Sequence, residues 1–170
     1  LAIDLSSKDG CYKIVAETRE RMGPIEFLIN NAGVVWNMDF LDQGDDMIRR
    51  MVEVNLMAQI WATKAVLPDM VKRKRGIIVS VASGAALVGV PAMVVYCATK
   101  SALAGFFNSL RHELRKAKTG IKVIVVYPGF MDTKMFVGAK LPRFTRLFDP
   151  QKISTALMRA IEKGKERVLI

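Results

Sequence analysis

The chain of 170 residues carries 26 Lys and Arg against 16 Asp and Glu, a formal charge of +10. Apolar residues make up 51% and charged residues 25%, which excludes a disordered chain and fits one domain with a real core. No apolar run reaches the ~18 residues that a membrane-spanning helix needs, residues 1–4 read as the end of a strand rather than a secretory signal, and two cysteines, Cys11 and Cys97, are too few for a disulfide scaffold or a cysteine zinc site and point to a reducing compartment.

Ser6 with Asp9 three residues later reads as a capping box. It opens a first helix in which Cys11, Ile14, Val15, Thr18 and Met22 keep the helical period, and Gly23-Pro24 stops it. Residues 25–29 form a short apolar run that ends at Asn30-Asn31-Ala32-Gly33. A long helix is predicted from Asp45 to Val71, with Pro68 kinking or ending it. Residues 76–81 form a second apolar run, residues 94–116 a helix with Leu103, Phe106, Phe107, Leu110 and Leu114 on its apolar side, and residues 121–126 a third run, stopped by Pro128-Gly129. Asp149-Pro150 reads as a cap and first helical position, with the helix running to Lys163 and stopping at Gly164, and residues 167–170 begin a fourth strand. The strand runs are rich in Val and Ile and do not alternate, as expected of strands buried on both faces of a parallel sheet. Strand and helix in alternation predict an α/β doubly wound sheet, without repeats or linkers, forming one domain or part of one. Ligands of such sheets sit beyond the carboxyl ends of the strands, which directs attention to residues 30–33, 80–83 and 127–133.

Tyr96 and Lys100 stand four apart on a predicted helix and share one face. A phenol of pKa about 10 exchanges protons poorly near neutrality, and an ammonium within reach favours the phenolate. A Tyr so tuned can donate a proton to a developing alkoxide or take one from an alcohol. Ser83, at the end of the second strand, is placed to hold a substrate oxygen. A Tyr and a Lys at this spacing are common by chance on helices, and the pair alone is equally open to a surface-packing reading.

Taken together, Asn30-Asn31-Ala32-Gly33 after a strand, Asn55 in an apolar helix, Ser83, Tyr96-Cys97-Ala98-Thr99-Lys100 thirteen residues on, and Pro128-Gly129 followed by Thr133 resemble the short-chain dehydrogenase/reductase family over essentially the whole chain. The resemblance implies a Rossmann-like sheet, NAD or NADP as cofactor, and hydride transfer between an alcohol and a carbonyl. Tyr96 matches the acid/base, Lys100 the lysine that lowers the tyrosine pKa and binds the nicotinamide ribose, Ser83 the serine that polarises the carbonyl, and Asn55 the asparagine that completes a proton relay. Asp4 matches the acidic residue that meets the adenine. Asn30, Ala32 and Gly33 match the turn beside the adenosine ribose, and Pro128, Gly129 and Thr133 the segment that cradles the nicotinamide. Ser80 competes with Ser83, but its spacing to Tyr96 is wrong. The run Val54-Asn55-Leu56 with Trp61 and Pro68, and an apolar, basic lid over residues 134–148, look closest to the hydroxysteroid and retinol dehydrogenase branch.

One part of the family pattern is absent. No glycine-rich phosphate-binding turn stands ahead of Asp4. The expected unit is therefore a partial Rossmann domain over residues 1–170, containing the catalytic half and lacking the first strand–helix units. Without them the run at residues 25–29 has an unpaired apolar edge. A non-catalytic fragment, or a dimerisation or binding module unable to hold the cofactor, stays open as the alternative. The lid suits a lipophilic, steroid- or retinoid-like substrate and contact with an anionic membrane surface, and Met38, Val90, Met93 and Met135 are expected to line the pocket. Lys72-Arg73-Lys74-Arg75 reads as a solvated turn rather than a nucleic-acid contact. His112, the only histidine, implies no metal site. The family also implies a homodimer or homotetramer, built on the faces of Met51, Leu56 and Ile60 and of Phe106, Leu110 and Leu114. The expected location is cytoplasmic, or membrane-associated and facing a reducing compartment.

Overall fold

The computed structural model describes residues 2–131 and 147–170. Four strands pair in parallel in the order β1-β2-β3-β4: β1 Phe27–Asn30, β2 Gly76–Val81, β3 Ile121–Tyr127 and β4 Arg167–Leu169. The helices are α1 Lys8–Met22, α2 Asp45–Val52, α3 Ala58–Arg73, α4 Val94–Lys116 and α5 Pro150–Glu162. Alternate residues of β3 explain why its sequence shows no polar period. Val123 and Val125 join Val66, Met70, Leu103 and Phe107 on the face covered by α3 and α4. Ile124 and Val126 join Ala160 and Val168 on the face covered by α5. Both faces are dry, so the sheet is doubly wound as the strand–helix alternation predicts.

Three local expectations change. The cap of α1 is Ser7, whose Oγ accepts from Gly10 N at 3.0 Å, while Ser6 turns back to Asp4. The long helix is two helices joined by a π-helical turn, Glu53–Met57. Pro68 neither ends nor replaces α3, which continues to Arg73 and stops where Lys74 enters the left-handed region at φ 52°. Asp149 caps α5 as expected, its Oδ1 accepting from Gln151 N at 2.9 Å.

The apolar faces assigned to a dimer serve this chain instead. Met51, Leu110 and Leu114 are buried in its own core, and Leu56 and Phe106 pack against that core. An amphipathic helix must bury its stripe somewhere, and in this fold the chain's own sheet and helices take it.

Among the described residues β1 has β2 as its only strand partner, and its outer edge is open. Phe27 and Ile29 are 52% and 49% exposed there, beside an apolar groove of about 220 Å³ walled by Ile14, Ile25, Leu28 and Val54. Such an edge templates strand pairing between copies. Ile29→Lys is expected to reduce self-association of this chain in light scattering; unchanged scattering would show that the edge is not the contact.

Candidate active site

The site is assembled where β2 and β3 end. Beyond β2, Ser83 starts a short turn by accepting from Ala85 N at 3.1 Å, and Gly84 N donates to Pro128 O at 2.7 Å. This ties the turn after β2 to the segment after β3. Pro128-Gly129 is held from its other side, since Gly129 N donates to Ile170 O at 2.9 Å. A Cβ on Gly129 would lie 3.0 Å from the Phe148 ring, so the position favours glycine.

Tyr96 sits in the first turn of α4, 5% exposed, and its side chain lines the same cavity as Ser83. Burial raises the Tyr96 hydroxyl above the ordinary phenol value, and the Ser83 hydroxyl works in the opposite direction. The lowering by Lys100 expected from the spacing does not dominate. Lys100 Nζ lies 5.6 Å from the centroid of the Tyr96 ring and donates to Val81 O at 3.0 Å. Its own pKa is lowered by burial to about 8. Ser80, the competitor for the serine role, is fully buried, and its Oγ donates to Gln59 Oε1 at 2.7 Å in the core.

Lys100 makes stability depend on pH. Its folded pKa of about 8 lies below the ordinary 10.5, so between these values the unfolded chain binds more protons. Stability is therefore expected to rise as pH climbs from 8 to 10.5. Lys100→Met should remove that slope and stabilise the neutral-pH fold by up to about 3 kcal/mol. Denaturant titrations across this pH range test both points, and a slope that survives the substitution would assign it to another group.

Asn55 lies in the π-helical turn and is fully buried. Its Oδ1 accepts from Val34 N at 2.7 Å, and its Nδ2 donates to Val34 O at 2.8 Å and to Thr99 Oγ1 at 3.3 Å. The side chain pairs with the Val34 backbone as a neighbouring strand would, fixing the loop after β1 against α4. Gly33 completes this junction: a Cβ there would lie 3.3 Å from Asn55 Oδ1 and 3.6 Å from Lys100 Nζ. The structure thus brings Gly33, Asn55 and Lys100 together, with Ser83 and Tyr96 beside them.

The other expected residues are less central. Asn30 is buried, with its Nδ2 donating to Thr63 Oγ1 at 3.3 Å, so it anchors β1 to α3. Ala32 is exposed on the rim of the apolar groove. Asp4 accepts from Ser6 N at 3.0 Å and pairs with Arg50 of α2 at 3.3 Å. The Ser6 bonds and then the Arg50 guanidinium hold its carboxyl at a pKa of about 2. Thr133 and Met135, with most of the expected lid, lie outside the described residues.

A cavity of about 170 Å³ opens against Ser83 and Tyr96. Val90 and Met93 line it as expected, and Met38 does not; its N–H instead donates to Ala92 O at 3.0 Å. Val88 and Phe130 are further wall residues that sequence reasoning missed. Their signal was position: each lies within a few residues of Ser83, Tyr96 or Gly129. Thr99, between Tyr96 and Lys100, was also missed as the partner of Asn55. His112 is exposed, both cysteines are unpaired, and the described residues hold no cluster suited to a metal ion.

This arrangement of a parallel doubly wound sheet, a Tyr–Lys pair on one helix and a Ser at the preceding strand end belongs to the short-chain dehydrogenases. The family model for short chain dehydrogenase matches residues 1–141, and the chain is a member of that family. It is 37% identical over 161 residues to epidermal retinol dehydrogenase 2 of Mus musculus, covering 93% of this chain and 52% of that protein. It is 34% identical over 169 residues to estradiol 17-beta-dehydrogenase 11 of Homo sapiens, covering 99% of this chain and 56% of that protein. Among solved structures, the bulky-bulky ketone specific alcohol dehydrogenase of Comamonas testosteroni superposes with a TM-score of 0.85 at 25% identity, covering 99% of this chain and 64% of that one. The chain therefore spans about half the length of the curated relatives it matches.

Proposed function

We propose that the protein is an NAD(P)-dependent oxidoreductase interconverting a lipophilic alcohol and its carbonyl. The observation that carries this reading is that Ser83 and Tyr96 are the polar side chains lining an otherwise apolar cavity. Ser83 and Tyr96 present two hydroxyls to one substrate oxygen. Tyr96 gives its Oη proton to the oxygen of a carbonyl substrate, or takes one from an alcohol, and Ser83 holds that oxygen in line.

The residues fit a nicotinamide dinucleotide. Gly33 leaves a space that a Cβ would fill beside Lys100 Nζ, and the ammonium spends one of its three donors on Val81 O. Lys100 would hold the nicotinamide ribose, Pro128 and Gly129 the nicotinamide, Asn30, Ala32 and Gly33 the adenosine side, and Asp4 the adenine. The cofactor, when bound, supplies or accepts the hydride. Asn55 keeps the loop at Gly33 and the Thr99 turn in register with Lys100, which makes it a positioning residue for the proton path. The names of the relatives, retinol and estradiol dehydrogenases, favour a retinoid- or steroid-like substrate.

Turnover of a retinoid, a steroid and a short hydrophilic alcohol with NAD and with NADP, followed by nicotinamide absorbance, tests the reading. The lipophilic substrates are expected to show at least about tenfold higher kcat/KM. Equal values would reject the lipophilic assignment, and no absorbance change with any substrate would reject the activity. A second reading, a non-catalytic fragment or a dimerisation or binding module unable to hold the cofactor, is favoured by the open β1 edge and by the partial coverage of the relatives. Quenching of tryptophan fluorescence by reduced cofactor at micromolar concentration decides against it. A homodimer or homotetramer, absence of nucleic-acid binding, and a cytoplasmic or membrane-associated site facing a reducing compartment complete the proposal.

A further inference from the structure

Helix-to-strand turns in a parallel sheet all emerge at the amino ends of the strands, the side opposite the candidate active site. In this chain three such turns carry exposed lysines. Lys72 and Lys74 precede β2, Lys116 and Lys118 precede β3, and Lys163 and Lys165 precede β4. The turns touch one another. A Cβ on Gly120 would lie 2.4 Å from Lys74 O, and one on Gly164 would lie 3.9 Å from Lys122 Nζ. Lys122, exposed at the start of β3, borders both grooves between them.

Three acidic residues at this face are committed to arginines, and Glu113 and Glu162 are the unpaired acids beside them among the described residues. Asp69 pairs with Arg73 at 3.0 Å, Glu26 with Arg75 at 2.9 Å, and Glu166 with Arg111 and Arg115. Among the described residues none of these lysines has an ion-pair partner. Helix dipoles account for cations in a last turn, such as Lys72 and Lys116. They do not account for Lys74, Lys118, Lys122 and Lys165, which stand beyond the helix ends.

We propose that this face docks the protein onto an anionic lipid bilayer. The seven exposed lysines, flexible point charges suited to a diffuse negative surface, outnumber the unpaired acids, while Arg73, Arg75, Arg111 and Arg115, whose planar heads would fork onto single phosphates, are occupied. The described residues of these turns carry no aromatic ring to stack on a base, and no basic helix stands clear of the face to enter a groove of a duplex. The surface is therefore suited to a membrane rather than a nucleic acid. Because the cavity at Ser83 and Tyr96 opens at the other end of the sheet, docking and basal turnover are separable.

Sedimentation of the full chain with phosphatidylcholine vesicles, with and without one third phosphatidylserine, tests the proposal. The bound fraction is expected to rise at least about tenfold with phosphatidylserine and to be lost in high salt. Lys74→Glu/Lys122→Glu/Lys165→Glu should abolish the gain at an unchanged far-UV spectrum. The charge-matched Lys8→Glu/Lys64→Glu/Lys152→Glu, placed away from this face, should keep it. If the first variant does not fold, the Gln version at the same three positions replaces it, with the same expected loss. Equal binding to neutral vesicles, an equal loss in the control variant, or tighter binding to duplex DNA than to the anionic vesicles at the same ionic strength would overturn it.

Discussion

Tyr96→Phe is expected to lower turnover by about a thousandfold or more while the melting transition and reduced-cofactor quenching stay near the parent values. The substitution keeps the ring, which is 5% exposed and packs with Met51, Met93 and Val95, and deletes only the hydroxyl that shares the cavity with Ser83. No other described proton donor with a neutral-range or phenolic pKa stands in the cavity, whose polar side chains are Ser83 and Tyr96. The parent should also show a pH signature. Burial raises the Tyr96 pKa, so the phenolate fraction needed for alcohol oxidation grows as pH rises, and carbonyl reduction is favoured at lower pH. Steady-state rates in both directions across pH check this. Retention of more than a tenth of the rate in Tyr96→Phe would remove Tyr96 from the chemistry.

Asn55→Ala is expected to carry the largest loss of stability, about 2–4 kcal/mol, because it leaves the Val34 N–H and C=O without their partner in a buried junction. The loop at Gly33 would loosen with it, so reduced-cofactor affinity should fall together with stability, whereas Tyr96→Phe separates the two. Urea denaturation with a parallel fluorescence titration measures both quantities. A loss below about 1 kcal/mol would mean that water replaces the amide without strain.

Much of this molecule is legible in its sequence, for reasons tied to particular residues. The runs at β2 and β3 stand out because strands dry on both faces must be apolar throughout. Ser83, Tyr96 and Lys100 stand out through the resemblance of the whole ordered motif set, and the structure puts them just beyond β2 and in the first turns of α4. Other features leave weaker traces. The faces of Met51, Leu110 and Leu114, which the family resemblance gives to a second copy, are buried in this chain's own core; an apolar stripe does not state whether it meets a partner or its own sheet. The four-residue spacing puts an ammonium within reach of Tyr96 but carries no measure of burial, and burial of both groups changes the balance. The partner of Asn55 is the backbone of Val34, which has no side-chain signature at all. Ser6 with Asp9 has the spacing of a capping box, but the Asx-type turn at Asp4 takes up Ser6 and leaves the cap to Ser7.

The π-helical turn at Glu53–Met57 has a consequence for change by insertion and deletion. Such a turn holds one residue more than an α-helical path over the same contour. Loss of a single residue there would let an unbroken α-helix form, with better local hydrogen bonding. The flanking helices would keep their faces, so Met51 would stay in the cluster around Tyr96 and Arg50 beside Asp4. What would be lost is the wide turn that aims Asn55 at the Val34 backbone. A one-residue deletion in this turn thus strikes the junction between the loop after β1 and α4 and spares the core around it, although it removes no group that touches substrate.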